Sequence, residues 1–242
     1  MIELGIVDSK DISVLYQMAK SLNSTPRWLQ FDKILRLFDR EAIRDFRSED
    51  DEPLIFCMFY MSIPDTTILM SPIRYLVEEC GVDVSALRGK DSSLLEDGEL
   101  PDSLFEVVLG TCSRPELCRY LISKGADINY CGGHSGRGFC NLFAWRLKMV
   151  IGYIFDKHWE DDDDDEDEMI TQMTSKSRRV KGPLDHERLE KCIPGLVEVY
   201  KILKEHGYNF GPDPRDKKQR TISYYITKHK LLEVDPRFGE LA

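Results

Sequence analysis

Arg119-Tyr120-Leu121-Ile122-Ser123-Lys124-Gly125-Ala126-Asp127-Ile128-Asn129 decides the fold, because two other stretches of the chain are built the same way. Upstream stands Arg74-Tyr75-Leu76-Val77-Glu78-Glu79-Cys80-Gly81-Val82-Asp83-Val84; downstream stands Tyr200-Lys201-Ile202-Leu203-Lys204-Glu205-His206-Gly207-Tyr208-Asn209-Phe210. In each, an apolar pair (Leu121 and Ile122, Leu76 and Val77, Ile202 and Leu203) predicts one buried helical face, and the glycine that follows predicts a left-handed C-terminal cap. After the glycine, Asp127-Ile128-Asn129 and Asp83-Val84-Ser85 alternate polar with apolar, as a short extended segment entering a turn does. A supersecondary unit repeated along a chain dictates architecture ahead of any local motif.

Leu117 to Asn129, and above all Gly125-Ala126-Asp127-Ile128-Asn129, resembles the second helix and projecting hairpin of ankyrin repeats; Gly81-Val82-Asp83-Val84 is the next match. The family's first helix opens with Thr-Pro-Leu-His. Partial echoes are Glu52-Pro53-Leu54-Ile55, Asp102-Ser103-Leu104-Phe105, Cys140-Asn141-Leu142-Phe143 and Arg220-Thr221-Ile222-Ser223, none of which holds the Thr and the His together. The resemblance covers roughly residues 50 to 230 and implies an all-α, ankyrin-like helical solenoid with short projecting hairpin loops and helical caps. It implies a fold far more firmly than an activity.

Gly81 and Gly125 are 44 residues apart and Gly125 and Gly207 are 82 apart, whereas a regular ankyrin unit is about 33 residues. The units therefore carry insertions. One is a polar hairpin tip from Arg88 to Asp102 with Gly89, Gly98 and Pro101. The other, residues 158–190, follows the long apolar helix expected over Phe139 to Phe155 and lies between the two helices of one unit. About four degenerate units then occupy 51–232. Residues 1–50 read as an N-terminal helical cap, with Ile12, Leu15, Ala19 and Leu22 on one helix, Trp28, Phe31, Leu35 and Phe38 on the next, and Ser24-Thr25-Pro26 between them. Thr221 to Leu232 begins the C-terminal cap, and 233–242 is a tail.

At 242 residues and 42% apolar content the chain can bury a continuous core. Seven cysteines and no signal-like N-terminus point to a reducing intracellular compartment, cytoplasmic or nuclear. Arg146 and Lys148 in the most apolar stretch exclude a lipid-facing span there, so no membrane partner is expected.

The second conspicuous feature is the unbroken acidic run Glu160 to Glu168. Without it the 43 acidic residues fall to 34 against 33 basic ones, so almost all of the net charge of −10 is local. Such a run repels itself and is read as disordered. Two readings stand: a solvated loop expansion, or an electrostatic lure for a basic protein. Lys176-Ser177-Arg178-Arg179-Val180-Lys181 just after it is an import signal or a charge partner for the run. No recognisable nucleic-acid module is present, and nucleic-acid binding is not expected.

Cys131, His134 and Cys140 place two soft ligands and an imidazole within ten residues. A structural zinc site wants a fourth ligand, usually from paired Cys-x-x-Cys units, and none occurs. The glycines between them read as turn-formers in a projecting hairpin, so no cofactor or metal is expected. No catalytic fingerprint appears either. The expected function is a non-catalytic scaffold or protein-protein interaction module; an acidic-loop binder of basic proteins and a metal or Cys/His enzyme centred on Cys131, His134 and Cys140 are the alternatives. By resemblance, the loops after each glycine carry the partner contacts: Arg88, Lys90 and Asp91 in one unit, Tyr130, His134 and Arg137 in the next, Asp213, Arg215 and Lys217 in the last.

Overall fold

The computed structural model describes residues 8–49, 51–59, 66–88, 102–111, 114–130, 142–155, 184–212 and 220–241. Over these the chain is all-α, with helices α1 (Ser13–Ala19), α2 (Thr25–Leu35), α3 (Arg40–Asp45), α4 (Leu54–Cys57), α5 (Thr66–Arg74), α6 (Leu104–Thr111), α7 (Pro115–Ser123), α8 (Leu142–Ile154), α9 (His186–Glu205), α10 (Ile222–Lys228) and α11 (Leu231–Val234). A π-turn, Tyr75–Glu79, prolongs α5, and a 3-10 segment, Pro236–Leu241, follows α11. Among the described residues the only strands are β1 (Leu87–Arg88) and β2 (Asp102–Ser103), antiparallel with Leu87 opposite Ser103 and Arg88 opposite Asp102. They close the base of the hairpin expected between those residues; its tip lies outside the described residues.

The apolar residues read from the first 50 positions are all buried: Ile12, Leu15, Ala19 and Leu22 around α1, and Trp28, Phe31, Leu35 and Phe38 around α2. The third helix, α3, was not legible as a period; Asp39 starts it by accepting from the Ala42 N–H at 2.8 Å.

All four partial echoes of the first-helix opening fall at helix starts, so that α4, α6, α8 and α10 begin at Leu54, Leu104, Leu142 and Ile222. Local chemistry explains two of them. Ser103 and Glu106 form a capping box, with Ser103 N–H donating to Glu106 Oε2 at 2.8 Å and Glu106 N–H to Ser103 Oγ at 3.1 Å. Thr221 Oγ1 accepts from the Tyr224 N–H at 3.3 Å.

The three glycines hold the same conformation, with φ of 75° at Gly81, 91° at Gly125 and 76° at Gly207. Around Gly125 the chain makes a Schellman cap, Gly125 N–H to Ile122 C=O at 3.0 Å and Ala126 N–H to Leu121 C=O at 3.1 Å. Gly207 repeats it with Lys204 at 3.2 Å and Leu203, reached by Tyr208 N–H, at 2.9 Å. The first stretch has one residue more between its tyrosine and its glycine than the second. The π-turn absorbs it: Cys80 N–H reaches Tyr75 C=O and Val82 N–H reaches Leu76 C=O, both at 3.0 Å. Tyr75 and Leu76 thereby stay buried, as Tyr120 and Leu121 are.

Helix neighbours run in two files. In one, α6 packs on α8 and α8 on α10; in the other, α2 packs on α5, α5 on α7, α7 on α9, and α9 on the 3-10 segment. The files are joined by α6 to α7 and α8 to α9, while α1 packs on α2 and α4. The recurring Arg-Tyr dipeptide stitches the second file. Each tyrosine packs inward while the arginine before it reaches forward: Arg74 lies over the Tyr120 ring at 5.6 Å, and Arg119 pairs with Glu198 at 2.7 Å. Glu78 adds an ion pair to Lys124 at 2.9 Å and accepts from Tyr120 Oη at 3.2 Å.

Two boundaries differ from the sequence reading. Helix α9 starts at His186, capped by Asp185 accepting from Arg188 N–H at 3.0 Å, so the last residues of the expected insertion are helical and Leu189 is buried. Residues 233–241, read as a tail, are packed: Phe238 and Leu241 are buried, and Arg237 clamps the segment to α9 through both oxygens of Glu190, at 2.6 and 3.0 Å. Pro236 ends helical propagation after α11 and so disguises a segment with two core anchors.

Candidate functional site

Each capping glycine is followed two residues later by an Asx turn. Asp83 accepts from Ser85 N–H at 2.8 Å, Asp127 from Asn129 N–H at 2.9 Å, and Asn209 from Gly211 N–H at 2.9 Å. The left-handed glycine and the turn are common to all three loops, and the Schellman cap to the last two. The second and third are tied: Asn129 Nδ2 donates to Gly207 C=O at 3.2 Å, and Asn129 Oδ1 accepts from Asn209 N–H at 2.8 Å.

This tie forms a ledge. Tyr130, Tyr208 and Phe210 lie half-buried along it, and Asn129 and Asn209 are exposed. Phe210 anchors it, with its ring 5.8 Å from Phe143 on α8, 4.6 Å from Tyr200 on α9 and 4.9 Å from Tyr208. Over 126–130 and 208–212 the only charged side chain is Asp127, whose carboxylate already serves its own turn. Half-open tyrosines with adjacent amides suit partner contact without strong electrostatics.

Of the contact residues expected from sequence, Tyr130 is on the ledge and Arg88 is drawn inward. Arg88 pairs with Asp102 and lies 3.6 Å from Glu52, with 29% of its side chain exposed. Pairing β1 to β2 brings Arg88 opposite an acid, a relation that becomes visible only once the register is known. Lys90, Asp91, His134, Arg137, Asp213, Arg215 and Lys217 lie outside the described residues, as do Cys131, Cys140 and Glu160 to Glu168. Two of the helices, α4 and α6, present no exposed flank over their described side chains. Every residue of α4 is buried, and so is α6 from Leu104 to Gly110, because their apolar composition leaves no polar face and Glu106 turns back as a cap. The ledge residues Asn129, Tyr208, Asn209 and Phe210 went unassigned from sequence; the shared Asp or Asn two places after each glycine was the signal that marks them.

The described cysteines, Cys57, Cys80, Cys118 and Cys192, are free thiols. Burial pushes the thiols of Cys57, Cys80 and Cys192 above their ordinary value, and the Glu52 carboxylate raises Cys57 further. A thiol so held is a poor nucleophile. Among the described residues no group of three or more His, Cys, Asp or Glu is placed to hold a metal ion. No helix among them is long and apolar enough to cross a membrane.

Comparison with known protein families, with curated proteins and with solved structures returns no match to this chain.

Proposed function

We propose that the chain is a non-catalytic protein-binding domain, a helical solenoid of about four degenerate ankyrin-like units that engages a protein partner through the loops following its capping glycines. One observation carries the reading. A left-handed glycine followed by an Asx turn recurs at Gly81, Gly125 and Gly207, and the last two loops, which also share the Schellman cap, are bonded into one ledge through Asn129. Repeated units that present aligned loops are an architecture used for recognition. The free thiols support an intracellular setting, cytoplasmic or nuclear. Alanine at Tyr130 and Tyr208 tests the reading: partner capture falls while the helical signal is kept. Undiminished capture removes the ledge from the account.

A second reading makes Glu160 to Glu168 the binding element for a basic protein. The observation favouring it is the neck of the insertion. Asp185 N–H donates to Ile154 C=O at 2.9 Å, and Arg188 donates to Tyr153 C=O at 3.0 Å with its guanidinium 4.7 Å from the Tyr153 ring. The described ends on either side of the run therefore meet at one point. Capture through it weakens steeply with salt.

A further inference from the structure

Four carboxylates are buried among the described residues: Glu52, Asp102, Glu106 and Asp235. Three are held closely. Asp102 pairs with Arg88, Glu106 accepts from Ser103 N–H at 2.8 Å, and Asp235 accepts from Arg237 at 2.6 Å. Glu52, only 3% exposed, is different. Its nearest side-chain partners all stand back, with Tyr16 Oη at 3.4 Å, Arg88 Nη1 at 3.6 Å and Cys57 Sγ at 3.7 Å. Arg88 divides its guanidinium between the two acids, with Nη2 on Asp102 and Nη1 standing off from Glu52.

We propose that this loosely held carboxyl makes the seam between α1, α4 and the β1–β2 pair a proton-sensitive joint, tight when Glu52 is neutral and looser when it is ionised. The groups that face it are Tyr16 and Lys20 on α1, Cys57 on α4, and Arg88 on β1 with Asp102 behind it on β2; Lys20 Nζ reaches Tyr16 Oη at 3.2 Å. A buried charge without close hydrogen bonds costs folding free energy that a neutral carboxyl does not. Burial raises Glu52 above its ordinary 4.5, against the lowering effect of Arg88. The sign follows: the seam's stability is fully present below the unfolded value and is lost as pH rises through the raised folded value. Proton activity thus sets how firmly the N-terminal helices are held to the rest of the chain.

Thermal midpoints of the full chain and of Glu52→Gln, measured from pH 5 to pH 8, test this. Carboxylates held below their ordinary values titrate under that window, and histidine contributions cancel in the difference. The midpoint of the amide variant relative to native should be higher at pH 8 than at pH 5. Amide exchange in 12–22 of the native chain, corrected for intrinsic rates, should quicken over the same rise in pH. Tyr16→Phe removes one donor and leaves the ring against Phe46, 5.6 Å away, so it should steepen the native pH dependence and decides the matter if Glu52→Gln does not fold. A constant difference between native and Glu52→Gln, or a Tyr16→Phe profile that superimposes on native, overturns the proposal.

Discussion

Asn129 holds Asn209 across 80 residues of sequence: its side-chain oxygen accepts from the Asn209 backbone N–H at 2.8 Å while its amide nitrogen donates to Gly207 C=O at 3.2 Å. Backbone groups on one loop are thereby satisfied by a side chain on another. Asn129→Ala should cost about 1–2 kcal/mol in urea denaturation, the worth of two such bonds at an open site. Asn209→Ala, which loses the turn to Gly211 but keeps the backbone N–H that Asn129 accepts from, should cost less.

The glycine caps separate backbone strain from packing. A Cβ on Gly125 meets nothing within 4 Å, so Gly125→Ala should lose only the cost of a left-handed residue, about 1–2 kcal/mol. Gly125→Asn should recover part of it, since asparagine tolerates that region. Chemical denaturation of the pair checks both.

A third test concerns the insertion neck. With Ile154 and Asp185 already bonded, deleting 158–182 shortens a connection whose ends meet. Stability should change by less than about 1 kcal/mol, because closure entropy varies slowly with loop length. Differential scanning calorimetry gives the answer.

Acid stability should depend on the C-terminal clamp. Arg237 holds Asp235 below its ordinary 3.8, chiefly by hydrogen bonding. A depressed carboxylate contributes stability that is present above the unfolded value and lost as pH falls through the folded one. Arg237→Leu should therefore move acid unfolding to higher pH, followed by far-ultraviolet circular dichroism.

Much of the fold was legible because each unit writes its own ends. Leu54, Leu104, Leu142 and Ile222 open α4, α6, α8 and α10 where the partial motifs stood, and Gly81, Gly125 and Gly207 close other helices, α5 with its π-turn, α7 and α9. What stayed hidden depends on partners distant in sequence. The inward pairing of Arg88 needs the register with Asp102, and the Asn129 tie needs a residue 80 positions on. The packed 3-10 segment hid because Pro236 breaks the period that would have marked Phe238 and Leu241 as core. Of the ledge residues, Tyr130 was named from its place after the glycine, whereas Tyr208 and Phe210 look from sequence like the end of a helix motif.

Affinity capture from native lysate tests the central claim most directly, comparing the intact chain, Tyr130→Ala with Tyr208→Ala, and deletion of Glu160 to Glu168, each at low and physiological salt. The account predicts a protein partner kept by the deletion at physiological salt and lost by the double tyrosine variant. A partner kept by the tyrosine variant, or lost with the acidic run or the added salt, contradicts it.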